Sequence, residues 1–203
     1  MTTTTDTPRV WIGCLAAYNE GHLHGKWVDA DVEAEELWAA KDEVIRTSPA
    51  FHPEEWFLAD HEGFGDYRVG EYESLDRVAR VARMISEHGT AFAAWLGNDP
   101  SVLDGDPDES DLEDDFREAF AGTWNSEQEF AEEQVADIGL PYVGFVHRQM
   151  PGHGGYGLEL EPWSETLDAL SSVLDWDAIT RGIMEGCWTA DAGGGQIHVF
   201  RDV

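Results

Sequence analysis

The chain has 203 residues, 42% of them apolar, and its 42 acids against 12 bases give a net charge of -30. That charge excludes a conventional nucleic-acid binder, which needs a basic footprint, and it opposes binding to an anionic membrane. With 9 Trp and 9 Phe the chain is not a disordered acidic tail, and no run approaches the roughly 20 apolar residues of a membrane span.

In chain order, MTTTTDTP at 1–8 has neither the basic nor the apolar region of a signal peptide and reads as a flexible tail. RVWIGCLAAY, Arg9 to Tyr18, reads as a buried strand, and KWVDA after a turn completes a hairpin. Asp31 is placed to cap a helix carrying Leu37, Trp38, Val44 and Ile45 near one side. EWFLADHE, Glu55 to Glu62, is a further strand. From Ser74 the period changes: Leu75, Val78, Val81, Ala82 and Ile85 form a helical stripe that Gly89 stops. TAFAAWLGN, DLEDDFREAF and SEQEFAEEQVADIG follow as helices, the last with a Ser126–Glu129 capping box and Gly139 as its stop. Beyond it LPYVGFVHRQMPGHGGYGLELEPW mixes a strand with a glycine-rich loop, followed by two helices (SETLDALSSVL and DWDAITRGIMEG) and a hairpin of CWTA and QIHVF around Gly193 to Gly195. The pattern is α+β in three small domains: a sheet-and-helix domain at 9–73, an acidic helical domain at 74–139 and a mixed domain at 140–203. Cys14 and Cys187 suit a reduced, cytoplasmic protein, with a disulfide between them as the alternative.

The charge is clustered. Residues 84–147 hold 16 acids and one base, Arg117, which is half the net charge in about a third of the chain. Its densest stretch is DGDPDESDLEDDF, Asp104 to Phe116. Asp104, Asp106 and Asp108 fall at positions 1, 3 and 5 of an EF-hand loop. Glu109 stands where the turn requires Gly, however, and the short Asp115 stands where a bidentate Glu belongs. His22 and His24 in GHLHG lack further ligands at zinc spacing. GHGGYG and GGG have neither the Lys-Ser/Thr nor the strand-to-helix setting of a phosphate loop. No nucleophile is paired with a base, so neither a catalytic residue nor a cofactor is expected.

Acids three or four apart on a helix form a row of charges ~5 Å apart. Asp111, Asp114, Asp115 and Glu118 make one row, and Glu129, Glu132, Glu133 and Asp137 another. B-DNA carries one charge per ~1.7 Å of axis, so thirty charges match about 15 base pairs, and a two-fold dimer about 30. A folded body of that charge can compete for a DNA groove on a DNA-binding protein.

YNEGHLHGKWVDA resembles the opening motif of the ArdA antirestriction proteins, with Tyr18, Asn19, Gly21, Leu23, Gly25, Trp27 and Asp29 in matching places. EEWFLADHEGF resembles that family's strand and acidic turn, at Asp60, Glu62 and Gly63. GEYESLDRVARVARMI, FAGTWNSEQEFAEEQVADIG and LDWDAITRGIME followed by GGGQIHVFRD are similar to its later segments, in the same order. The acidic loop at DGDPDESD and the segment HRQMPGHGGYGLELEPW are longer than the family pattern. The resemblance implies an elongated, curved, three-domain α+β homodimer without catalytic residues. It implies a mimic of double-stranded DNA that occupies the DNA-binding site of type I restriction–modification enzymes and protects incoming mobile DNA. On that reading the partner-facing carboxylates are Asp104, Asp106, Asp108, Glu109, Asp111, Glu113, Asp114, Asp115, Glu118, Glu127, Glu129, Glu132, Glu133 and Asp137.

Two other readings start from the same acids. Having only two lysines, Lys26 and Lys41, suits adaptation to a high-salt cytoplasm, with a different basic partner. A calcium-binding module is the other.

Overall fold

A computed structural model describes residues 7–137, 144–149, 156–161 and 174–202. It combines helices with small antiparallel sheets, the α+β class expected. The chain divides into two compact units. One comprises residues up to Ala121 with Ala192–Gly194, the other Gly122–Asp191 with Gly195–Asp202.

The first unit opens with a three-stranded antiparallel sheet in the order β2-β1-β3. β1 (Arg9–Cys14) lies between β2 (Gly25–Asp29) and β3 (Trp56–Glu62). Val10 pairs with Val28 across β2, and Ile12 with Leu58 across β3. The register against β3 shifts between Trp11 and Ile12, where Ala59 is the extra residue of a bulge. The expected strand to Tyr18 is too long. At Cys14 the chain turns into a short helix, α1 (Leu15–Asn19), because Leu-Ala-Ala favours helix and the Leu15 N–H finds the Glu55 carbonyl at 2.9 Å.

α2 (Ala34–Thr47) buries Leu37, Ala40 and Val44 and packs on β1 and β2. Asp31 does not cap it. Bends intervene, Glu33 holds the cap position without a side-chain hydrogen bond, and the Glu36 N–H closes on the Glu33 carbonyl at 2.9 Å. Trp38 meets Trp56 edge to face at 5.9 Å, and its indole N–H donates to Asp76 at 3.1 Å.

α3 (Leu75–Asn98) packs on α2 through the expected stripe, since Leu75, Val78, Val81, Ala82 and Ile85 are all buried. Each such large side chain contributes about 1.5–3 kcal/mol of burial. The helix breaks at Gly89 (φ 71°, ψ -155°), and its second half buries Phe92, Trp95 and Leu96. After a 3-10 turn at Pro100–Leu103 comes α4 (Glu109–Ala119), which packs on α3. Phe116 is the hub of the contact, with ring centroids 5.2 Å from Phe92, 5.7 Å from Trp95 and 5.1 Å from Phe120.

The second unit holds a sheet of order β4-β8-β7, built from β4 (Phe120–Trp124), β7 (Cys187–Gly193) and β8 (Gln196–Arg201). Sequence periodicity missed β4, because Leu112, Phe116 and Phe120 continue a helical step of four into its first residue. The expected terminal hairpin is present. Gly194 (φ 65°) and Gly195 (φ 86°) form its two-residue turn, which needs positive φ at both places. Val199 and Phe200 are fully buried, and Trp188 stacks on Phe200 at 4.1 Å.

α5 (Glu127–Asp137) packs against α6 (Trp176–Ile183). A separate antiparallel pair joins β5 (Gly144–Gln149) to β6 (Tyr156–Glu161), from Gly144↔Glu161 to Gln149↔Tyr156. LPYVGFVHRQMPGHGGYGLELEPW reads as one strand with a glycine-rich loop, and β6 is a second strand within it. The alternation in GLELE suits a strand despite the glycines around it. The expected stop at Gly139 and all of the expected SETLDALSSVL helix but its last residue, Leu174, lie outside the described residues. Both cysteines are free, Cys14 buried.

Candidate acidic interface

The acidic stretch begins in a loop whose carboxylates are used by the fold itself. Gly105 (φ 83°) and Asp106 (φ 57°) turn the chain, and Asp106 is the one non-glycine residue at positive φ among those described. Its carboxylate accepts from Arg80 Nη1 at 2.8 Å, and that guanidinium holds its pKa below the usual range. Arg80 also donates to the Pro107 carbonyl at 2.5 Å. Asp108 caps α4. One of its oxygens accepts from the Ser110 N–H at 2.9 Å, the Ser110 hydroxyl at 2.8 Å and the Asp111 N–H at 3.0 Å. The Asp111 N–H bond foremost, then the Ser110 hydroxyl, depresses its pKa. With Asp106 and Asp108 so engaged, and Glu109 already in the helix, Asp104, Asp106 and Asp108 do not form an EF-hand loop.

α4 sorts its acids by face. Leu112, Phe116 and Ala119 define the buried side. To one flank lie Glu109 and Glu113. Glu109 pairs with Arg83 of α3, while Glu113 meets Arg117 at 2.5 Å and lies 3.9 Å from His88. To the other flank lie Asp111, Asp114, Asp115 and Glu118. At 100° per residue these four fall within a single stripe, all are exposed, and none makes a side-chain ion pair or hydrogen bond among the described residues. Asp104 is likewise exposed and unpaired.

α5 belongs to the second unit. Ser126 caps it as expected, accepting from the Glu129 N–H at 3.1 Å. The Glu129 carboxylate reaches back one residue further than a standard capping box, to the Asn125 N–H at 2.6 Å and the Asn125 amide at 3.1 Å. Glu132 accepts from Gln128 at 2.8 Å. Glu127, Glu133 and Asp137 are exposed and unpaired among the described residues.

Among the described residues the fourteen candidate carboxylates therefore divide into six with side-chain partners and eight without: Asp104, Asp111, Asp114, Asp115, Glu118, Glu127, Glu133 and Asp137. Sequence reasoning missed Arg80 and Arg83, which engage Asp106 and Glu109 from α3. Their three-residue spacing on α3, just ahead of the acidic stretch, was the available signal.

His22 is exposed, and His24 Nε2 lies 2.9 Å from the Val44 carbonyl oxygen and 3.3 Å from the Thr47 hydroxyl, so His24 anchors the end of α2. Among the described residues no helix is long and apolar enough to cross a membrane. The protein-family model described as Antirestriction protein (ArdA) matches residues 10–183. A comparison with curated proteins gave no match.

Proposed function

The chain belongs to the ArdA antirestriction family, and from that premise we propose that it blocks a type I restriction–modification enzyme by mimicking the charge of double-stranded B-DNA. Antirestriction, a restriction–modification partner and inhibition rather than catalysis come with the family. The rest is our reading. The observation that supports it is the unpaired, exposed row Asp111, Asp114, Asp115 and Glu118 on the flank of α4 away from Glu109 and Glu113. Uncompensated carboxylates ~5 Å apart on a rigid helix present a phosphate-like line to a basic cleft. The α5 acids Glu127, Glu133 and Asp137 supply further charge, and a homodimer of three-domain protomers doubles the array. The protein thereby shields incoming mobile DNA.

The test is displacement. A purified type I methyltransferase core on labelled duplex DNA is titrated with this protein at several salt concentrations. Stoichiometric displacement that weakens with salt supports the mimic. No displacement by folded protein of known oligomeric state overturns that target. It then favours the reading in which the scarcity of lysine reflects life at high salt.

A further inference from the structure

His88 has no role in the interface above, yet it carries a buried polar atom left unsatisfied in the first unit's helical layer, as Arg77 does at Nε. Its Nε2 is buried without a hydrogen-bond partner among the described residues. A buried polar atom of this kind calls for a water or an ion. One face of the imidazole is fixed by apolar rings, Phe92 at 5.8 Å and Phe116 at 5.3 Å. Toward carboxylates, Nε2 lies 3.9 Å from Glu113 Oε1, too far for a hydrogen bond. Ligand atoms of Glu87, His88 and Glu113 all lie within 4.8 Å of one another.

We propose that Glu87, His88 and Glu113 form a binding site for a divalent transition-metal ion of the zinc class. An ion about 2.1 Å from each of two ligands spans a gap of up to about 4.2 Å. The separation of His88 from Glu113 fits that span, and the exposed Glu87 closes the remainder by a change of rotamer. One imidazole nitrogen with two carboxylates suits zinc, cobalt or nickel over calcium, which takes oxygen alone. The site sits on the last turn before the helix breaks at Gly89, and the C-terminal end of a helical segment favours a cation. Arg117 competes for Glu113 at 2.5 Å, but its side chain is 65% exposed and free to swing away. Bound metal would clasp α4 to α3 on the flank of α4 opposite the unpaired acidic row.

The experiment titrates zinc chloride into chelator-stripped, full-length protein by calorimetry and follows the unfolding temperature. One zinc per chain and a raised unfolding temperature are expected. Affinity falls more than about tenfold in His88→Gln and in Glu113→Gln, and it is unchanged in Asp104→Asn. Arg117→Ala tightens binding. Where His88→Gln fails to fold, Glu87→Gln at its exposed position gives the same reading. Several weak sites, equal in every variant, would mean general condensation of cations on an acidic surface and would overturn the proposal. Absence of zinc binding would overturn it too.

Discussion

Arg83 Nε donates to Glu109 Oε1 at 2.9 Å, joining residues 26 apart in sequence, while Arg83 Nη1 donates to the Val32 carbonyl at 2.8 Å. One guanidinium thus holds the first turn of α4, the middle of α3 and the chain ahead of α2. The pair is partly exposed, so its Coulomb energy is screened, and the bond to the backbone matters as much. Arg83→Ala is expected to lower stability by about 1 kcal/mol in urea unfolding. Glu109→Gln retains a hydrogen-bond acceptor and costs less. Equal costs would mean that the ion pair, not the Val32 contact, dominates.

Gly89 tests the break in α3. Its φ of 71° and ψ of -155° lie in a region open essentially to glycine, and nothing stands within 4 Å of an added Cβ. Strain is therefore the whole cost of Gly89→Ala, about 1–3 kcal/mol by chemical denaturation. A neutral result would show that the two halves of α3 merge into one helix without penalty.

The helical stripe from Leu75 to Ile85 and the stop at Gly89 were legible because both are local: one is a period, the other a residue able to adopt positive φ. The hairpin around Gly194 and Gly195 was legible for the same reason. β4 was not, since Phe120 fits a helical step of four as well as it fits a strand. The cap at α2 failed because Asp31 has the right chemistry two residues too early. The acidic surface was readable as a density of charge. Its division into paired and free carboxylates was only partly so: Glu113, Glu129 and Glu132 pair with residues four away in sequence, whereas Arg80 and Arg83 reach Asp106 and Glu109 through tertiary packing.

Acid should weaken the loop that leads into α4. Asp99, Asp106 and Asp108 all have depressed pKa values, held down chiefly by the Ser101 hydroxyl, the Arg80 guanidinium and the Asp111 N–H. A depressed folded pKa gives stability that is present above the unfolded value of 3.8 and lost as pH falls below it. Unfolding temperature is thus expected to drop between pH 5 and pH 3, since protonation begins about a unit above 3.8. Asp108→Asn, which keeps a capping oxygen, should flatten part of that slope. An unchanged slope would place the acid-sensitive groups elsewhere.

At the alkaline end the expected probe is Tyr67. Burial first, and the charge of Glu73 second, push its phenol up to about 12 from an unfolded value of 10. A raised folded pKa leaves stability intact below pH 10 and removes it as pH climbs toward about 12, because the unfolded chain ionises first. Tyr67→Phe should abolish that part of the alkaline decline in urea unfolding at pH 8 and pH 11. An identical decline in both proteins would mean that other groups set it.

The sharpest consequence concerns the two flanks of α4. Converting Asp111, Asp114, Asp115 and Glu118 to Asn and Gln removes four charges that make no side-chain ion pair or hydrogen bond among the described residues. It relieves mutual repulsion, so stability should hold or rise. If the row faces a basic cleft, association with the restriction enzyme should slow by roughly ten- to a hundredfold at low salt, with little difference at 1 M, where the Debye length is ~3 Å. Glu109→Gln with Glu113→Gln removes two charges already paired with Arg83 and Arg117. That double variant should lose stability while changing association rate far less. Rate measurements across a salt series on both sets separate the roles. A larger rate loss in the paired set would mean that the partner reads the opposite flank of the helix.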